Sequence, residues 1–138
     1  RLLESSGEHV VLHGVLGGLF SEGVDLPDGC LKTVVVVGPG LPPVGMERDR
    51  IRGWCEERYG EGFRYAFLVP GMSRAIQAAG RVVRSQEERG AVVLVGRRFG
   101  WREYRDLLPE EWSLIRVEDP AEAVRQFWEV QDETVGTG

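Results

Sequence analysis

Four consecutive valines, Val34 to Val37, follow Leu31-Lys32-Thr33 and stop at Gly38-Pro39-Gly40. β-branched side chains are stiff at their first torsion and favour a pleated strand over a helix. A run without polar alternation suits a strand covered on both faces, as in a parallel sheet. His9–Val15, bounded by glycines, and Ala91–Val95, opened by Gly90, have the same character. Between the second and third runs, Ile51, Trp54, Cys55 and Tyr59 recur at helical spacing, while Glu47, Arg48, Asp49, Arg52 and Glu56 cover the other face. This predicts a helix over 46–59, ended by Gly60 and Gly62. Strands separated by helices predict an α/β fold with a mostly parallel sheet.

The remaining segments are less periodic. Phe63–Val69 alternates and reads as a strand or extended segment. Pro70-Gly71 introduces a helix over 72–86. Arg102–Leu108 reads as a short helix and Trp112–Val117 as a further strand. The last helix has an Asp119 N-cap, Pro120 in its first turn and Glu122 in a capping-box position, with Val124, Phe127, Trp128 and Gln131 at helical spacing. Residues 1–131 are expected to form one domain and 132–138 a frayed tail. Arg1–Ser6 reads as the tail of a helix, so the chain is expected to be a piece of a longer protein.

A length of 138 residues is enough for one domain with its own core. The net charge of −5 argues against a protein that coats nucleic acid generally, although a local basic patch is compatible with it. No aromatic-rich basic groove is visible, so nucleic-acid contacts are expected to be few and mostly to phosphate. Lys32 is the only lysine. Such arginine bias reflects base composition for most surface positions and phosphate recognition for Arg81 and Arg84. No apolar run approaches the roughly 20 residues of a membrane helix, and no signal peptide opens the chain. A soluble protein of the cytoplasm or nucleoid is expected. Cys30 and Cys55 lack ligand spacing and read as reduced packing thiols. His9 and His13 read as core or edge residues, with no third metal ligand near them in sequence.

The densest chemistry lies in Gln77-Ala78-Ala79-Gly80-Arg81-Val82-Val83-Arg84. On a helix, Gln77, Arg81 and Arg84 form one polar stripe, which Arg74 extends, while Ile76, Ala79 and Val83 turn toward a core. Gly80 leaves a gap where a ligand or a backbone can come close. Permanently charged guanidinium forks beside an amide suit a phosphate chain. The sequence contains no G-x-x-x-x-G-K-[ST] loop. Gly38–Pro43 reads as a plain loop and Glu110-Glu111 as a solvated turn, so Mg-nucleotide cannot be held in the usual way.

The Q-x-x-G-R-x-x-R pattern resembles the sixth signature motif of superfamily 2 helicases. Gly17-Gly18-Leu19-Phe20-Ser21-Glu22-Gly23-Val24-Asp25 precedes it, with F-S-E-G-V-D similar to the fifth motif, and Glu88–Phe99 follows it. In this order, over roughly residues 9 to 112, the segments resemble the second motor domain of the XPD/DinG helicase family. The resemblance implies a three-layer RecA-like domain of the P-loop NTPase type, lacking its own Walker A loop. Its first strand, first helix and fourth motif would lie upstream. It implies an ATP-dependent 5′–3′ DNA helicase of the DNA-repair type. ATP and Mg2+ would be held mainly by a first RecA-like motor domain of the same parent, and single-stranded DNA would be the other partner.

On this resemblance Arg81 and Arg84 reach the γ-phosphate and Gln77 positions the attacking water or the phosphate. Glu22, Gly23, Asp25 and Gly80 border the nucleotide. Gly18, Phe20 and Ser21 border DNA, with Ser21 and the amides of Gly17–Phe20 reaching a phosphate while the Leu19 and Phe20 side chains suit the core. The chain departs from the family at Leu19, where some relatives carry a basic residue, and at Gly96, where an aspartate usually precedes the K/R-R-F element. An iron–sulfur cluster, found in many such helicases, needs four cysteines and cannot be built from this segment. The alternative is a non-catalytic interaction module that keeps the helicase fold.

Overall fold

The computed structural model describes residues 11–18, 30–82 and 89–135. At its centre, β1 (Thr33–Val37) and β2 (Ala91–Val95) pair in parallel, with Thr33 opposite Ala91 and Val37 opposite Val95. The fold is therefore mixed α/β on a parallel strand pair, and both strands fall within the valine-rich runs read from the sequence.

One face of the pair is the core. Val36 is buried among Leu68, Met72, Ala75, Phe99 and Tyr104, with Val34, Leu94, Leu16 and Leu41 packed around them. The other face is mostly open, with Val35 57% and Val37 75% exposed. The C-terminal helix, Pro120–Val135, meets it at one end, where Trp128 Nε1 donates to Thr33 Oγ1 at 3.3 Å and Lys32 Nζ lies 6.0 Å from the indole centroid.

The crossover from β1 to β2 starts with the Gly38–Pro43 loop and α1 (Met46–Tyr59), the helix the periodicity predicts. Gly60 takes φ 69°, and its N–H donates to Glu56 O at 2.9 Å, closing the helix in the left-handed conformation glycine favours. Gly62 is required for a different reason: a Cβ there would lie 2.4 Å from Arg52 O.

Phe63–Val69 is helical, contrary to the strand or extended segment its alternation suggests. A π-helical turn, Arg64–Leu68, runs directly into α2 (Val69–Ala79). Ala66, Phe67 and Leu68 are buried in succession, and Gly71, Met72, Ala75 and Ala79 continue the buried side at helical spacing. The strand reading failed at Pro70. A proline has no N–H to give, and here it falls in the first turn of α2, where none is needed. The wider π turn, closed by Val69 N–H to Arg64 O, carries the helix across that position.

After β2 come a 3₁₀ turn (Arg97–Gly100) and the short α3 (Arg102–Arg105), which continues as turns to Leu108. Glu110 and Glu111 form an exposed turn, as expected. Trp112–Val117 is not a strand, and Ile115 is exposed. Residues 11–15, the described part of the expected first strand, are likewise irregular and exposed, His13 included. Neither segment pairs with β1 or β2, and an apolar run becomes a strand only beside a partner. Cys55 is buried, but Cys30 is exposed and is no packing thiol.

The last helix, α4 (Pro120–Val135), begins as the sequence predicts: Asp119 Oδ1 accepts the N–H groups of Ala121 and Glu122 at 3.0 and 3.1 Å. Inside the first turn, Glu122 pairs with Arg125 and accepts from Gln126. Residues 132–135, read as tail, continue the helix.

Candidate functional site

Ligands of open parallel sheets gather beyond the carboxyl ends of the strands. Here those ends are tied together by glycines. Gly38, at φ 72°, donates its N–H to Val95 O at 2.8 Å, extending the pairing by one residue. A Cβ on Gly96 would stand 3.6 Å from Gly38 Cα. The turn at Leu16–Gly18 closes with Gly18 N–H to Val15 O at 2.9 Å, and a Cβ on Gly40 would lie 3.0 Å from Leu16 Cβ.

Arg74 joins this edge to α2. Its Nη1 donates to Gly40 O at 3.5 Å, and a Cβ on Gly17, itself at φ 82°, would lie 3.2 Å from Arg74 Nε. The half-buried guanidinium therefore lies between the turn before Phe20 and the loop after β1. It does not extend an outward polar stripe with Gln77, as helical spacing alone suggests. Its partners are far away in sequence, so only the glycines that make room for it were visible there.

The end of α2 also departs from the spacing of a continuous helix. The helix stops at Ala79 rather than running to 86. Gly80 N–H still reaches Ile76 O at 2.8 Å, but the ψ of −7° at Gly80 leaves the helical value of about −42°. Val82 N–H then turns back to Ala79 O at 3.1 Å. Glycine inside a helix costs about 1 kcal/mol relative to alanine. Leaving the helix also buries Val82 to 3% exposure against Gly90, and burying such a side chain fully is worth roughly 1.5–3 kcal/mol. A Cβ on Gly90 would stand 1.7 Å from Val82 Cγ1.

Gln77 is thus exposed on the last turn of α2, and Gly80 is exposed as its cap. Arg81 is half-buried in the turn that follows, off the regular helical face. Among the described residues, an added Cβ at Gly80 would meet only the carbonyls of Ile76 and Gln77, and Gly80 is exposed. Gly18 is half-buried in its turn. Phe20, Ser21, Glu22, Gly23, Asp25, Val83 and Arg84 lie outside the described residues.

An α/β domain is thereby defined, with its polar side chains carried by the crossover helix, the turn after it and the glycine-lined edge. Its sequence matches the helicase C-terminal domain family over residues 2–114, and the chain belongs to that family. It is similar to the ATP-dependent DNA helicase DinG of Photobacterium profundum, 33% identical over 101 residues, 72% of this chain and 14% of that protein. Similarity extends to the regulator of telomere elongation helicase 1 of Homo sapiens, 32% over 136 residues, 88% of this chain and 11% of that one. The helicase subunit XPD of general transcription and DNA repair factor IIH of Dictyostelium discoideum is 29% identical over 112 residues, 79% of this chain and 14% of that protein. The XPD/DinG resemblance read from the motifs therefore holds, and the chain spans 11–14% of the length of these relatives. Among the described residues no helix is long and apolar enough to cross a membrane.

Proposed function

We propose that this chain is the second RecA-like motor domain of an ATP-dependent DNA helicase that moves 5′ to 3′ along single-stranded DNA inside the cell. The observation that carries this reading is the family match, which spans both the Phe20–Asp25 run and the Gln77–Arg84 segment of the sequence. The absence of a phosphate loop from the sequence supports it. A first motor domain of the parent binds ATP with Mg2+, and this domain closes over the nucleotide.

In that closed state Arg81 and Arg84 stabilise charge on the γ-phosphate, and Gln77 positions the attacking water or the phosphate. Gly80 has no side chain to obstruct close approach. Glu22, Gly23 and Asp25 border the nucleotide, while Gly18, Phe20 and Ser21 contact a DNA phosphate. Arginines in this role contribute about 10³ to 10⁵ in rate.

The test uses the full-length parent. Arg84→Ala should lower kcat of the DNA-stimulated ATPase by about 10³ or more without loss of fold. Arg81→Ala should act similarly and Gln77→Ala less. If Arg84→Ala keeps full ATPase but melts at a lower temperature, the segment is structural and the chain is a non-catalytic module on a helicase fold.

A further inference from the structure

Beyond Gly96 the chain presents a basic, tryptophan-bearing edge that the proposed motor role leaves unused. Residues 97–105 hold four arginines against one glutamate, in a protein whose net charge is −5. Arg97, Arg98 and Arg105 are exposed, and none has an ion-pair partner among the described residues. Arg102 reaches Asp106 at 3.7 Å, but both side chains are well exposed and the pair is screened by water. Gly96 takes φ 141°, a conformation that residues with a side chain rarely adopt. No carboxylate at that position neutralises the arginines beside it.

The edge is also held rigidly. Phe99 and Tyr104 are both buried in the core. Phe99 N–H donates to Gly96 O at 3.2 Å, Trp101 N–H to Arg98 O at 3.0 Å, Arg105 N–H to Trp101 O at 3.0 Å and Leu108 N–H to Arg105 O at 3.0 Å. Trp101 sets its ring edge-on to buried Tyr104, with centroids 5.9 Å apart and planes at 71°. It nevertheless remains 49% exposed. An indole already fixed by a buried neighbour loses little freedom when something stacks on it. The edge joins Gly38 through Gly96, and Gly38 leads by way of Gly40 to the Leu16–Gly18 turn.

Exposed guanidinium groups on a fixed scaffold suit a polyanion. An exposed indole among them suits one whose rings are open to stacking, which a duplex does not offer. We propose that Arg97, Arg98, Trp101 and Arg105 form a sequence-independent contact for single-stranded nucleic acid, the arginines on phosphates and Trp101 against a base. The site rests on the motor reading only in that the parent handles single strands.

The experiment measures binding of a fluorescein-labelled oligothymidylate to the full-length protein by anisotropy over a salt series, with thermal melting as the folding control. The double variant Arg97→Gln/Arg98→Gln should weaken binding several-fold and flatten the dependence of log affinity on log salt by about 0.7 for each phosphate that is no longer neutralised. Trp101→Ala should weaken binding about tenfold with the salt slope unchanged, and Trp101→Phe should restore most of it. Wild-type affinity and slope in both the double variant and Trp101→Ala overturn the site. So does a loss confined to binding of anionic lipid vesicles or of an acidic peptide. Failure of the motor reading appears elsewhere, as ATPase that survives Arg84→Ala. A wild-type protein that binds no single strand overturns both.

Discussion

The two faces of the β1–β2 pair are made of the same residue type and meet opposite surroundings. Val34 and Val36 look into the core beneath α2. Val35 and Val37, one residue away along the strand, look out. Successive side chains of a strand point to opposite faces, so an unbroken valine run supplies both equally. What distinguishes them is the cover. The helix α2 brings Met72 and Ala75 onto one face, whereas α4 meets the other toward one end, where Trp128 reaches Thr33, and leaves Val35 and Val37 exposed. Burial here is a property of the element that arrives, not of the residue that waits for it.

Substitutions on the two faces put that contrast at risk. The largest effect is expected from Met72→Ala, which opens a cavity under the covered face and should cost about 2–5 kcal/mol in urea unfolding followed by circular dichroism. Gly90→Ala forces a Cβ into Val82 where the crossover returns to β2, and overpacking of this kind should cost about 1–3 kcal/mol. If Gly90→Ala unfolds like the unsubstituted chain, Val82 is not seated as described and the early end of α2 loses its cause.

Asp119→Ala removes the cap of α4 and should cost about 1 kcal/mol. Backbone amides of residues 121 and 122 should then exchange hydrogen faster, while β1 keeps its protection. Val37→Thr, on the open face, should move stability by less than about 0.5 kcal/mol. A loss several times larger would mean that something covers the open face in solution and that the two faces are alike after all.

The parts of this molecule legible in sequence are those decided locally. The repeat from Ile51 to Tyr59, the β-branched run Ala91–Val95 and the Asp119 cap each depend on neighbours within a turn or a strand, and each is found where the sequence places it. Segments decided by distant partners were not legible. Phe63–Val69 alternates like a strand, yet Phe67 and Leu68 are buried side by side as part of a helix. Residues 11–15 and 112–117 carry strand-like apolar residues but pair with no strand among the described residues. At the candidate site, the exposure of Gln77 and Gly80 was legible. The turn that holds Arg81 was not, because Val82 is drawn away by Gly90. Arg74 reads as one more polar residue of a helix face until Gly17 and Gly40 are seen to close around it.

The π turn at Arg64–Leu68 gives the chain a tolerance to changes of length. A π turn holds one residue more than an α-helical turn over the same path. A relative lacking one residue between Phe63 and Pro70 can close that stretch as ordinary helix and leave Met72, Ala75 and Ala79 in their seats. The same deletion between Met72 and Ala79 would rotate every preceding or following side chain by about 100° and turn buried positions toward water. Insertions and deletions in this lineage should therefore collect just before Pro70, where the helix has slack, and be absent from the stretch that carries Arg74 and Gln77.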